Sequence, residues 1–165
     1  MTRFVKIMLM ASVGLWGVIG GLGNLMDYSA GVEQVGYVLS MEGAKDVAYA
    51  SWRSIHSPLI AHLAFAVIYL SKLATGALCL YCSARLLKFR KADTATFQTE
   101  KSSGILGLGI SITMLFLAFI VFAGLLFEYW RVPTFGMITH HYAFIYTMCL
   151  TAFLLFLERR DEQPA

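Results

Sequence analysis

Side chains that can bind a metal or a haem gather near the ends of the long apolar stretches of this sequence. His62 follows the start of one stretch, Glu128 ends another, and His140 and His141 open a third. Imidazole and carboxylate groups together can ligate a transition metal, and two imidazoles on facing helices can ligate a haem. The sequence therefore offers His62, Glu128 and His140 as metal ligands, and His62, His140 and His141 as cofactor ligands.

The same side chains also have a simpler structural interpretation, in which they cap helices and hydrogen-bond one another at a wet boundary. The sequence contains no H-E-x-x-H spacing, which would place two imidazoles on one helix face. His140 and His141 are neighbours, so on a helix they point about 100° apart and at most one faces a shared ligand. Both interpretations stay open, the cofactor is unknown, and no catalytic residues are recognised.

A second anomaly is a lysine in the middle of an apolar stretch. Lys72 lies within SPLIAHLAFAVIYLSKLATGALCLYCSAR, and no Asp or Glu lies deep in any apolar stretch. A charge at mid-bilayer depth costs about 2.5 to 3.5 kcal/mol. The ammonium is therefore either relieved within the chain, by snorkelling or by Thr147 and Thr151, or neutralised by an acidic group or lipid phosphate of a partner.

The cysteines do not indicate a redox site. Cys79 and Cys82 have the C-x-x-C spacing of thioredoxin-like motifs, but they lie within an apolar stretch without a nearby histidine. We interpret these two residues, and Cys149, as packing residues.

These side chains must be positioned by membrane-spanning helices. Hydrophobic residues make up 58% of the 165 residues and charged residues only 14%, against about 25% charged residues in soluble domains. About 20 apolar residues cross a bilayer core as a helix. The sequence therefore predicts an all-α membrane protein, a single-domain four-helix bundle with spans at residues 4–25, 57–85, 103–127 and 139–157.

A short amphipathic helix is predicted in the loop between the first two spans. Val32, Val35, Val38 and Leu39 recur at helical spacing within residues 31–41, a pattern that suits a helix lying on the membrane surface.

Several residues are candidates for contact with another chain. Gly17 and Gly21 form a small-xxx-small pair, which lets helix backbones approach closely. The pair packs either inside the monomer or against another chain, which includes a second copy in a homo-oligomer. Lys72, Trp52 and Arg53 complete this set.

The distribution of Lys and Arg predicts the orientation. Most basic residues lie at the two termini and in the connection at residues 85–101, whereas the other side of the membrane holds only Lys45, Arg53 and Arg131. The positive-inside rule then makes both termini cytoplasmic. Because these charges lie at helix ends and form no patch, nucleic acid is not an expected partner.

Three stretches of the sequence resemble a bacterial family of predicted small integral membrane proteins, a domain family of unknown function. They are NLMDYSAGVEQVGYVLSM, SWRSIHSPLIAHLAF and FIVFAGLLFEYW. The resemblance extends over nearly the whole chain. It implies a four-span bacterial inner-membrane protein whose outer loop is its most distinctive part, and it transfers no catalytic residues.

Three functions are compatible with this sequence. The first, which we prefer, is an accessory or structural subunit packed against a larger membrane complex. The second is a redox protein with a haem, metal or quinone site at the outer interface. The third is a small transporter or channel component, which would need a polar pathway to which only Lys72 contributes.

The charge distribution gives a first testable prediction. Cysteine labelling or reporter fusions should place Lys88 and Arg159 in the cytoplasm and Lys45 on the opposite side, because positive loops are retained inside. A cytoplasmic Lys45 would contradict the orientation and the proposed outer location of the histidines.

Overall fold

The computed structural model describes residues 1–44, 46, 52–132 and 135–161. All regular structure within these residues is helical, and four helices are long and apolar enough to cross a membrane. The prediction of an all-α membrane helix bundle is therefore confirmed. The α-helices of the described residues are α1 (Thr2–Met26), α2 (Tyr28–Leu39), α3 (Pro58–Lys88), α4 (Thr94–Thr99), α5 (Ser102–Met114) and α6 (Phe135–Glu158).

Local sequence signals explain where several helices begin. Ser57 caps α3 by accepting a hydrogen bond from the Ile60 N–H at 3.5 Å, and Pro58 takes the first helical position, where it leaves no N–H unpaired. The loop helix α2 follows α1 after a single residue, Asp27. α6 already begins at Phe135, so His140 lies inside the helix and not at its start.

The spanning helices place the N-terminus, α4 and Asp161 at one end of the bundle, termed here the basic end. The opposite end, which carries α2 and residues 127–132, is termed the loop end. Lys45, which was predicted to lie across the membrane from the termini, is outside the described residues.

α1 and α3 pack so closely that their backbones touch. A Cβ atom added to Gly17 would lie 2.7 Å from the Gly76 nitrogen and 2.7 Å from the Lys72 carbonyl oxygen. A Cβ atom on Gly21 would lie 2.6 Å from the Leu73 side chain. Both members of the small-xxx-small pair therefore face α3 of the same chain.

Hydrogen bonds between side chains and backbone join α3 to its two neighbours. The Thr75 hydroxyl donates to the Gly107 carbonyl at 3.0 Å and accepts from the Ser111 hydroxyl at 2.9 Å, both in α5. The Ser83 hydroxyl donates to the Ile7 carbonyl of α1 at 2.9 Å. α3 is thus fixed between α1 and α5.

The second half of the third span is wider than an α-helix. From Leu115 to Leu126 the chain continues α5 with hydrogen bonds to the fifth preceding residue, and the Phe127 N–H donates to the Phe122 carbonyl at 2.9 Å. Such widened segments are usually short and are frequent at functional sites. Here the segment packs against α6, where the His140 ring fills the space beside Gly124.

The α1–α3 contact gives a prediction with a matched control. Gly17→Ala should destabilise the folded protein by about 1 to 3 kcal/mol, as overpacking typically does, because the added methyl would overlap the α3 backbone. Gly23→Ala should be neutral or stabilising, because no described atom outside its own stretch of helix backbone lies within 4 Å of its Cβ position and alanine favours helix. Thermal unfolding of both variants in detergent tests this, and equal stability would contradict the contact.

Candidate functional site

The histidines predicted as ligands have separate surroundings at the loop end. His62 Nδ1 lies 2.8 Å from the Tyr28 hydroxyl, and the two rings stack with centroids 5.6 Å apart. His140 is half-buried against Gly124, and its buried Nδ1 has no hydrogen-bond partner among the described residues. His141 is exposed on α6.

Glu128, the predicted carboxylate ligand, is bound by two arginines. Arg53 Nη2 lies 2.7 Å from one carboxylate oxygen and Arg131 Nε lies 2.5 Å from the other. Hydrogen bonds from Arg53 and Arg131, together with their charges, lower the pKa of Glu128 although partial burial opposes the shift. The carboxylate therefore stays ionised and joins the loop before α3 to the end of the third span.

The structure does not bring the predicted metal ligands together. Within the described residues, no group of three or more His, Cys, Asp and Glu side chains is arranged to hold a metal ion. Ligation of a metal or haem by His62, Glu128, His140 or His141 stays a prediction. Of the other candidates in this region, Arg53 has the structural partner just described, and Trp52 is 81% exposed.

A large apolar cavity lies between α1, α2, α3 and the third span. Its volume is about 1460 Å³, and its lining extends from Leu39 and Tyr129 at the loop end, past Asn24 and Asp27, to Ile105 nearer the basic end. Leu106 and Val67 in its walls are each 57% exposed, so the cavity is open at the side of the bundle.

Lys72 is the cationic side chain in this cavity wall. Its side chain passes Gly20, where an added Cβ atom would lie 3.6 Å from Lys72 Cδ and 3.9 Å from Nζ. No hydrogen bond or ion pair joins its ammonium to another residue in the described part of the chain. The Thr147 and Thr151 hydroxyls donate to the carbonyls of Ala143 and Thr147, and neither accepts a hydrogen bond from Lys72 in the described part of the chain.

A buried ionic cluster, which the sequence did not predict, closes the basic end. Asp161 Oδ2 lies 2.9 Å from Lys6 Nζ of α1 and 2.5 Å from Lys101 Nζ, just before α5. The side chains of Lys6 and Lys101 are 1% and 0% exposed. Both ammonium groups also donate to the Arg159 carbonyl. The cluster ties the end of α6 to α1 and α5.

The surroundings of Asp161 determine its charge. Burial alone would raise the pKa of its carboxyl, but hydrogen bonds from Lys101 and Lys6 and their positive charges lower the pKa below the usual value. At pH values above the usual aspartate pKa, the ionised carboxylate therefore stabilises the folded protein in full. That contribution is lost as pH falls through the lowered pKa of the folded state.

Comparison with known proteins agrees with this architecture. The sequence matches the model of a family described as "Predicted small integral membrane protein (DUF2165)" over residues 2–159. The chain belongs to this family. No curated protein and no solved structure matches the chain. The family resemblance seen in the motifs is confirmed, and the protein is a multi-pass integral membrane protein in contact with lipid.

Two features of this family member explain why sequence reasoning missed the ionic cluster. Lys6 and Asp161 are 155 positions apart, and each lies where a charge normally reports topology. Cys79 and Cys82, by contrast, pack between helices as predicted, since both are fully buried, whereas Cys149 is exposed and was wrongly interpreted as a packing residue. Only the burial of Lys6 and Lys101 distinguishes the ionic cluster from ordinary flanking charges.

The ionic cluster gives a prediction at neutral pH. Asp161→Asn keeps the size of the side chain but leaves two buried ammonium groups without a counter-charge, a change that typically costs about 3 to 5 kcal/mol. The thermal unfolding temperature in detergent should fall clearly. Glu158→Gln is the matched control, because Glu158 is exposed, and it should have little effect. Equal unfolding temperatures for the two variants would contradict a structural role for the cluster.

Proposed function

We propose that this member of the family is an accessory, structural subunit of a larger complex in the inner membrane of a bacterium. The observation that supports this function is the ammonium of Lys72, which faces an open, largely apolar cavity and forms no ion pair within the described residues, not even with Asp27 in the same cavity wall. A cation at this depth costs about 2.5 to 3.5 kcal/mol. A membrane protein seated in the cavity would offset this cost and cover the exposed apolar walls.

The other buried charges of the chain make Lys72 distinctive. Asp161 is held between two lysines, and Glu128 between two arginines, all from the same chain. This protein therefore pairs charges internally at both ends of the bundle. The cation in the middle of the bundle differs, and its counter-charge is expected from outside the chain.

The basic end is assigned to the cytoplasm in this proposal. Arg3, Lys6 and Arg85 lie at that end with Lys101, and Arg159 lies beside them. Positive residues are retained on the cytoplasmic side during insertion. The part of the cavity that is lined by α2 then lies in the outer half of the bilayer.

The proposal predicts different results for insertion and for assembly. Lys72→Met should be inserted at normal or higher abundance, because the variant removes an insertion cost of about 2.5 to 3.5 kcal/mol. The variant should no longer co-migrate with the complex. Removal of Lys72 leaves the partner's buried charge without a counter-charge, which costs about 3 to 5 kcal/mol. Native electrophoresis after mild solubilisation measures the size of the complex, and immunoblotting measures abundance in the membrane.

Lys91→Met is the matched control for this experiment, because Lys91 is exposed at the basic end. The control should assemble as the wild type does. A wild-type protein that migrates as a single chain would contradict the accessory-subunit function. A Lys72→Met complex of unchanged size and yield would show that Lys72 does not hold the partner.

A further inference from the structure

We propose that the cavity receives one transmembrane helix of a partner protein, and that this helix carries an Asp or Glu at mid-bilayer depth opposite Lys72. This inference rests on the proposed function and names the chemistry of the partner. Three properties of the cavity support it: its volume, the depth of its cation, and the small residues in its wall.

The volume of the cavity matches a helix better than a small ligand. A helix about 10 Å across that rises 1.5 Å per residue occupies roughly 120 Å³ per residue. The cavity volume of about 1460 Å³ therefore equals about 12 residues of helix, or more than three turns. Typical small-molecule pockets have only about 300 to 1,000 Å³.

The depth of Lys72 distinguishes a helix from a lipid headgroup. Lys72 lies about 21 Å along α3 from Pro58 at 1.5 Å per residue, near the middle of this 31-residue helix. In a hydrocarbon core about 30 Å thick, the phosphates are about 15 Å away from the middle. With α3 centred in the bilayer, a phosphate would have to leave its layer to reach the ammonium, whereas a helix can present a carboxylate at any depth.

Two glycines allow a helix to approach the cavity wall. Gly23 of α1 and Gly109 of α5 line the cavity, and no other side chain or distant backbone lies within 4 Å of their Cβ positions. Close approach of backbones replaces the missing hydrophobic driving force between helices in lipid. One glycine belongs to α1 and the other to α5, so a helix seated between α1 and α5 would have a close-approach position on each of them.

The spanning segments of a second copy of this chain do not supply the required carboxylate. The four spanning segments, 2–26, 58–88, 102–126 and 135–157, contain no Asp or Glu. A homodimer would therefore bring a second Lys72 and no neutralising group. The partner is a different protein whose transmembrane helix contains an acidic residue.

Photo-crosslinking in the native membrane tests the inference directly. A genetically encoded diazirine analogue of leucine replaces Leu117, which lines the cavity. The Thr75–Gly107 and Thr75–Ser111 hydrogen bonds set the register between the helices and place Leu117 near the level of the Lys72 side chain. Leu155 on α6 is the control position, because it is 60% exposed and not part of the cavity. Mass spectrometry identifies the attached peptide or lipid.

We expect an adduct at Leu117, and not at Leu155, with a transmembrane peptide that contains Asp or Glu within two turns of the attachment point. Lys72→Met should lower the yield of this adduct at least tenfold, whereas Lys72→Arg, which keeps the cation, should retain most of it. The adduct yield of each protein is divided by its membrane abundance, so that the comparison reports binding and not folding.

Three results would overturn the inference. They are a transmembrane peptide without a nearby acidic residue, a peptide from a second copy of this chain, and a lipid as the sole adduct. The first would leave the accessory-subunit function intact, since a partner helix would still occupy the cavity. A monomeric wild-type protein on native electrophoresis would contradict that function separately.

Exchange of the charges completes the test once the partner helix is identified. Lys72→Glu alone should abolish the adduct, because two carboxylates would face each other. Lys72→Glu combined with replacement of the partner's acidic residue by Lys should restore it. Failure of the exchange to restore an adduct that Lys72→Arg retains would contradict the proposed pairing.

Discussion

The backbone contact between α1 and α3 at Gly17 and Gly76 determines much of the remaining geometry. Because neither residue has a side chain, the two helices approach until a methyl group no longer fits. Packing of this kind stabilises helix pairs in a bilayer, where lipid tails are as apolar as the side chains. α3 can then present Thr75 to α5 and Lys72 to the open space beside Gly20.

Ion pairs join the helices at both ends of the bundle, whereas uncharged contacts join them in the middle. At the basic end, the carboxylate of Asp161 attracts two ammonium groups, and at the loop end that of Glu128 attracts two guanidinium groups. Each carboxylate connects segments that are distant in sequence, so both ends of the bundle are held by charge-assisted hydrogen bonds. The middle of the bundle is held by glycine contacts and by the hydroxyls of Thr75 and Ser111.

The fold was largely predictable because the bilayer limits the choice of structure. A long apolar stretch must satisfy its backbone hydrogen bonds internally and therefore forms a helix. Ser57 and Pro58 marked the start of α3 correctly. The earlier start of α6 at Phe135 and the widened helix from Leu115 to Leu126 were not predicted. The widened helix packs against α6, where Gly124 contacts His140, and such contacts between helices are not visible in local composition.

The sequence by itself determined that this is a four-span helical membrane protein of its family, with a short helix after the first span and a lysine inside the second. These properties follow from the length and spacing of apolar residues. Only the tertiary structure decided which polar groups meet. Glu128 binds Arg53 and Arg131, not His62 and His140, and Lys6 meets Asp161 across 155 positions. Residues at the same depth can face different directions around their helices, and that rotation is determined by packing between helices.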